Sequence, residues 1–121
     1  MLEAANLREP AVGIKDSEIW DAVARIQGSR AMTGCARLSE LLRFVVKATL
    51  SGQADYVKET MIGVVVFGRK PDYNPKVDTI VRSQAWRLRN KLRQYYESEG
   101  AHDPVIIDLP RGRYVPVFRL R

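Results

Sequence analysis

The sequence predicts a mainly α-helical fold closed by a small β-hairpin, and three observations carry that prediction. Apolar residues recur at helical spacing in separate stretches between residues 17 and 98. Two short β-prone runs follow them, around a Pro-Arg-Gly-Arg turn. The excess positive charge falls in the second half of the chain. The 121 residues are 45% hydrophobic and 28% charged, which supports one globular domain and excludes a collagen-like repeat or a low-complexity tail. A chain of this length buries roughly two-thirds of its unfolded surface, so it needs neither disulfide nor metal to fold. Cys35 is the one cysteine, which excludes an intramolecular disulfide and a multi-cysteine zinc site and suits a reducing compartment. Met1 to Pro10 holds acids and no apolar run of signal-peptide length, and no later stretch reaches the ~18 apolar residues of a membrane span. The expectation is a soluble cytoplasmic protein with no membrane partner and no cofactor.

Residues 1–15 contain Pro10 and Gly13 and show no periodicity, so they read as a flexible arm before a single domain at 16–121. Ser17 is a suitable N-cap for a first helix in which Ile19, Trp20, Val23 and Ile26 recur until Gly28 and Ser29. Trp20 reads as core. Leu38, Leu41, Leu42, Val45, Val46 and Thr49 form the wide apolar stripe of a second helix, with Gly52 placed for a left-handed C-cap. Lys58 to Phe67, with Met61, Ile62 and Val64 to Val66, suits a strand as well as a short helix. Gly68 to Asp78 is a loop, with two prolines and Asn74 before Pro75.

Asp78 is the expected N-cap of the longest helix, which runs to about Ser98 with Gly100 beyond it. Val81, Ala85, Leu88, Leu92 and Tyr95 stack on one face. Arg82, Trp86, Arg89 and Arg93 follow the same stepping about 100 degrees round, and Arg87 and Lys91 lie on the other flank. Val105 to Leu109 and Tyr114 to Leu120 then flank Pro110 to Arg113, the pattern of a hairpin with a basic tip, in which Pro116 suits an edge strand.

The net charge of +6 arises in one half. Residues 1–68 hold eight basic and eight acidic side chains, whereas residues 69–121 hold twelve basic, mostly Arg, against six acidic. Arg provides bidentate contacts to phosphate and guanine, so the segregated half reads as a polyanion-binding surface, against the plainer reading of a solvated charged face. Helices, then a basic helix and a basic-tipped hairpin, are in that order the parts of a winged helix-turn-helix. An α-helix fits the DNA major groove, and a hairpin reaches the adjacent backbone or minor groove.

Val81 to Leu92, with its Leu88-Arg89-Asn90-Lys91-Leu92 core, resembles the recognition helix of the OmpR-type winged-helix effector domain, which typically ends L-R-x-K-L. Ile107 to Tyr114 is similar to that family's wing, where a strand leads into R-G-x-G-Y. Here the second glycine is absent and the turn is one residue shorter. The resemblance spans about residues 38 to 120. It implies that Leu88 and Leu92 lock the helix to the core, that Gln84 and Arg87 meet base edges, and that Ser83, Trp86, Asn90 and Lys91 lie beside them as backbone or secondary contacts. It also implies that the loop at 68–78 joins the positioning and recognition helices and contacts RNA polymerase, as in some members. The chain departs from the family in having no receiver domain within these residues and no evident N-terminal four-stranded sheet, since residues 16–52 read helical.

The expected DNA-binding set is Arg82, Ser83, Gln84, Trp86, Arg87, Asn90, Lys91, Arg111 and Arg113. Arg87 suits bidentate contact with guanine. Arg82, Arg89 and Arg93 read as partners of phosphate or of acids on the first helix, Arg89 in a structural role. Arg111 and Arg113, on a tip with few core duties, suit wing contacts with phosphate or the minor groove. Two readings stand for Trp86, stacking on a sugar or base and filling a groove between helices. Tyr95 and Tyr96 read as sealing the long helix against the hairpin. His102 reads as a surface residue, Cys35 as inert, and Asp103 and Asp108 as isolated acids. No Gly-rich phosphate loop, paired carboxylates or ligand cluster points to an enzyme. The expected function is that of a sequence-specific, double-stranded DNA-binding transcriptional regulator in a bacterium, working as a homodimer. The alternatives are a winged-helix protein-interaction module and an architectural or excision factor of a mobile element.

Overall fold

Helix α1 (Asp16–Gln27) buries Ile19, Ala22, Val23 and Ile26 along one stripe. The computed structural model describes residues 13–121. Most of the expected arm lies outside the described residues, but Ile14 is already buried in the core, so packing begins before residue 16. The N-cap is Lys15, not Ser17. Its amide donates to the Glu18 carboxylate at 2.9 Å, which satisfies an N–H that a Ser17 cap would have left outside the helix. Trp20 is half-buried and packs against the edge of the core, with the guanidinium of Arg43 5.5 Å from its ring centroid.

A 3-10 turn at Arg30–Met32 leads to α2 (Ala36–Leu50), which buries Leu38, Leu41, Leu42, Val45 and Val46. Gly52 sits just past its end at φ +76°, donating to the Thr49 carbonyl at 3.2 Å, while Gln53 donates to Ala48 at 2.8 Å. Together they form a Schellman cap, and its left-handed position is the one the sequence assigned to this glycine.

The ambiguous stretch is helical: α3 (Glu59–Val65) buries Ile62 and Gly63. The 68–78 loop folds back over it, and the Tyr73 hydroxyl donates to the Glu59 carbonyl at 3.0 Å. Gly63 makes that approach possible, since a Cβ there would lie 2.1 Å from the Tyr73 hydroxyl.

Helix α4 (Ile80–Glu97) buries Val81, Ala85, Leu88, Leu92 and Tyr95. Thr79, not Asp78, occupies its N-cap. Asp78 acts from one residue earlier, accepting from the Ile80 amide at 3.2 Å and from Arg69 Nε at 2.6 Å. Those bonds hold the Asp78 carboxyl below the usual carboxylate range, the Arg69 hydrogen bond being the largest cause.

Strands β1 (Val105–Asp108) and β2 (Val117–Leu120) pair antiparallel, with Ile107 opposite Phe118 and Val105 opposite Leu120. Both are shorter than expected. Leu109 to Pro116 form the wing loop because the carbonyls of Leu109, Pro110 and Arg113 bond to a side chain of α4 instead of to a facing strand. Pro116 therefore precedes β2 instead of sitting within it. Val105, Ile107, Leu109 and Phe118 join the core made by α1, α2 and α4. The described residues thus form four α-helices and one two-stranded hairpin, compatible with a winged helix. Among them, no helix is long and apolar enough to cross a membrane.

Candidate nucleic-acid interface

The buried stripe of α4 dictates what the helix shows to solvent. Directly opposite it project Ser83 and Asn90, with Trp86 on the side toward the wing and Arg87 on the other. At 18 residues the helix is about 27 Å long, so this face forms an extended convex ridge. Between ridge and wing lies a cleft of about 520 Å³. Arg82, Trp86, Arg89, Asn90 and Arg93 line it from the helix, and Arg111, Gly112, Arg113 and Tyr114 from the wing. Five of these residues are arginines and none is a carboxylate.

Two of the arginines build the cleft. Arg89 sends Nε to the Leu109 carbonyl at 2.9 Å and Nη2 to the carbonyls of Pro110 and Arg113 at 3.2 and 3.1 Å, so one guanidinium grips both sides of the wing loop. The structural role expected of Arg89 is therefore carried by wing carbonyls, not by acids of α1. Arg82 donates to Glu59 on α3 at 3.0 Å and to the Pro75 carbonyl at 2.8 Å. This expected DNA contact is thus engaged in joining α4 to α3 and the loop, through a partly exposed, solvent-screened pair.

The remaining cations point outward. Arg111 and Arg113 are exposed, and among the described residues neither guanidinium has an ion-pair or hydrogen-bond partner. Arg93 bonds only to the Asn90 side chain and Arg87 only to Gln84, at 3.3 Å in the second pair. Ser83 donates to the Ile80 carbonyl at 3.1 Å and remains exposed. Trp86 is 61% exposed, so it fills no groove between helices. Gln84 and Lys91 lie apart from the rest of the expected set. Both are half-buried on the flank away from the wing and line no part of the cleft, because the stripe that faces the core turns them toward its margin.

Tyr114 was given no role by the sequence, although it closes the wing motif after Gly112. The structure sets it half-buried at the cleft, its hydroxyl pKa raised chiefly by that burial. On the other side of the wing, Arg93 and Arg111 also border a second cleft, but Glu97 and Asp108 make that one mixed in charge.

Away from the cleft, Tyr96 seals α4 to β1 as expected, donating to the Val105 carbonyl at 3.2 Å and accepting from the Ile107 amide at 2.9 Å. Tyr95 turns elsewhere. It covers Gly100 and donates to Asp103, which also receives Arg25 of α1 at 3.3 Å. Asp103 is therefore not an isolated acid, and burial followed by this bond raises the Tyr95 pKa. His102 is exposed, and Cys35 is buried with its thiol 3.6 Å from the Thr33 carbonyl. No group of three or more His, Cys, Asp or Glu among the described residues is placed to hold a metal ion. No protein-family model, curated protein or solved structure matches the chain.

Proposed function

We propose that α4 and the wing bind double-stranded DNA, and that the protein is a sequence-specific transcriptional regulator of the winged helix-turn-helix kind. The carboxylate-free cleft, with five arginines beside the exposed ridge of α4, is the observation that carries this reading. Arg82 is paired with Glu59, but the other four arginines have no carboxylate partner among the described residues, and like charges gathered in this way are stabilised when a polyanion fills the site. In the proposed complex α4 lies in the major groove. Arg87 reads guanine, while Ser83 and Asn90 supply shorter polar tips to neighbouring base edges. Arg111 and Arg113 contact the adjacent backbone or minor groove, and Arg93 neutralises a phosphate within the cleft. Trp86 packs against a deoxyribose at the margin. One such domain covers a short half-site, so the regulator acts as a homodimer on a repeated sequence. Lys70 and Lys76, exposed on the 68–78 loop, are the proposed contacts to RNA polymerase.

Fluorescence-anisotropy titration tests the proposal, using a duplex selected from a random library and a scrambled one at two salt concentrations. A selected duplex bound at least ~10³-fold more tightly than the scramble supports a specific regulator. Equal binding with a steep salt slope supports the architectural alternative. Failure of both duplexes overturns DNA binding and favours the protein-interaction reading, for which the exposed Trp86 is the available anchor.

A further inference from the structure

A second feature of the surface is independent of DNA binding. Between α2 and α3 lies a groove of about 510 Å³ that shares no residue with the cleft beneath the wing. Its apolar lining is Phe44, Val65 and Val66, and its charged lining Arg37, Glu40, Arg43 and Lys47. Val65 is 55% exposed, and Met61, one turn earlier on the same face of α3, is 42% exposed. Both side chains add little to the core; Val65 lines the groove, and Met61 extends the exposed apolar face of α3 beyond it.

The walls are fixed in advance. Arg37 Nη1 donates to the Val66 carbonyl at 2.7 Å, which ties α2 to the end of α3. The same arginine lies 3.7 Å from Glu40, so the one carboxylate of the groove is already paired. Arg43 is held over Trp20 with no carboxylate beside it, and among the described residues Lys47 has no ion-pair partner. Two cations without an ion-pair partner among the described residues therefore border an apolar floor that is open to solvent at Val65. Phosphate would satisfy the cations and leave the floor wet, whereas a segment with both carboxylates and a large apolar side chain satisfies both. We propose that this groove docks an acidic amphipathic segment of a partner protein, its apolar side chain on Phe44 and Val65 and its carboxylates at Arg43 and Lys47.

The test is a titration of the ¹⁵N-labelled full chain with a synthetic helical peptide of about three turns, carrying Leu at i and i+4 and Asp or Glu elsewhere. Expected are shift changes confined to residues 37–47 and 61–68 and sub-millimolar affinity. Val65→Gln should weaken binding about tenfold through lost apolar burial. Lys47→Glu should weaken it about fivefold through a lost surface pair. Both positions are exposed, so an unchanged thermal midpoint separates lost docking from lost folding. Equal binding of the peptide with its Leu replaced by Ser would overturn the proposal, as would shifts that map to α4 and the wing, or no binding at millimolar peptide. Stronger engagement of phosphatidylglycerol vesicles than of the peptide would overturn it in favour of a lipid surface. None of these outcomes depends on duplex binding.

Discussion

Replacing Arg89 by Met keeps the aliphatic stem and removes the donors that fasten the wing. Three bonds are lost, at 2.9, 3.2 and 3.1 Å. A hydrogen bond from a charged donor contributes about 1.5–3 kcal/mol when dry, but this side chain is half-buried and water replaces part of the loss. About 1 kcal/mol for the first bond, and less for the two that share Nη2, gives a loss of about 2 kcal/mol in all. With an unfolding entropy near 2.1 cal/mol/K per residue, the 121-residue chain loses about 0.25 kcal/mol per degree, so the midpoint should fall by about 8 °C. Circular-dichroism melts measure that shift, and amide hydrogen exchange locates it. Faster exchange should be confined to the wing, residues 105–118, while α1 and α2 stay protected. Arg89→Lys should fall between, because one ammonium reaches fewer of the three carbonyls. DNA affinity should drop by a similar factor on selected and scrambled duplexes, since a loosened wing loses phosphate contacts. A midpoint within about 2 °C of the parent together with unchanged wing exchange would refute the fastening role.

Three other outcomes follow from local geometry. Arg87→Ala should remove about 1–3 kcal/mol of discrimination between selected and scrambled duplexes while barely changing the scrambled affinity, as read by competition anisotropy. Gly63→Ala should destabilise by about 2–3 kcal/mol in urea titrations, because the new Cβ displaces the Tyr73 ring. In a Tyr73→Ala background the sign should reverse, to a gain of about 0.5–1 kcal/mol, since alanine is the better helix former. Asp78→Asn should be less stable than the parent at neutral pH. The Asp78 pKa is lowered in the fold, so its contribution is fully present above the unfolded value of about 4 and disappears as pH falls through the lower folded value. Urea midpoints of the two proteins should converge in that acidic window, and a constant gap down to pH ~2 would contradict the assignment.

The long helices were legible because their stripes are wide and their ends are marked. Val81, Ala85, Leu88, Leu92 and Tyr95 all reach the core, and Gly52 closes α2 in the expected left-handed conformation. Helix α3 was not legible, since seven residues rich in β-branched side chains carry no decisive period. What settles it is long-range: Tyr73 packs on Gly63, ten positions away in sequence, and Arg82 reaches back to Glu59. The cleft was half legible. Arg111 and Arg113 meet the wing side of the cleft as the tip pattern suggested. The partner of Arg82 was not legible, because a surface cation's partner depends on which element packs beside it. The half-burial of Gln84 and Lys91 outside the cleft was not legible from the resemblance, which assigned them by position, while the stripe sets their direction. The wing strands were overestimated for a related reason, since propensity has no way to register that a helix side chain takes the carbonyls a ladder would use.

The wing divides into a root and a tip under different constraints. Ile107, Leu109 and Phe118 are buried in the root, while Arg111 to Arg113 project from a loop whose carbonyls are held from behind by Arg89 and whose Tyr114 and Val115 pack against the core. Gly112 needs its left-handed backbone at φ +84°, but the side chains on either side of it meet nothing that the fold depends on. If the proposed function holds, substitutions at 111 and 113 should alter ligand preference without drawing on the stability of the domain. Such a protein can drift in what it grips while keeping its architecture, and a library randomised at those two positions should yield mostly folded members with diverse binding.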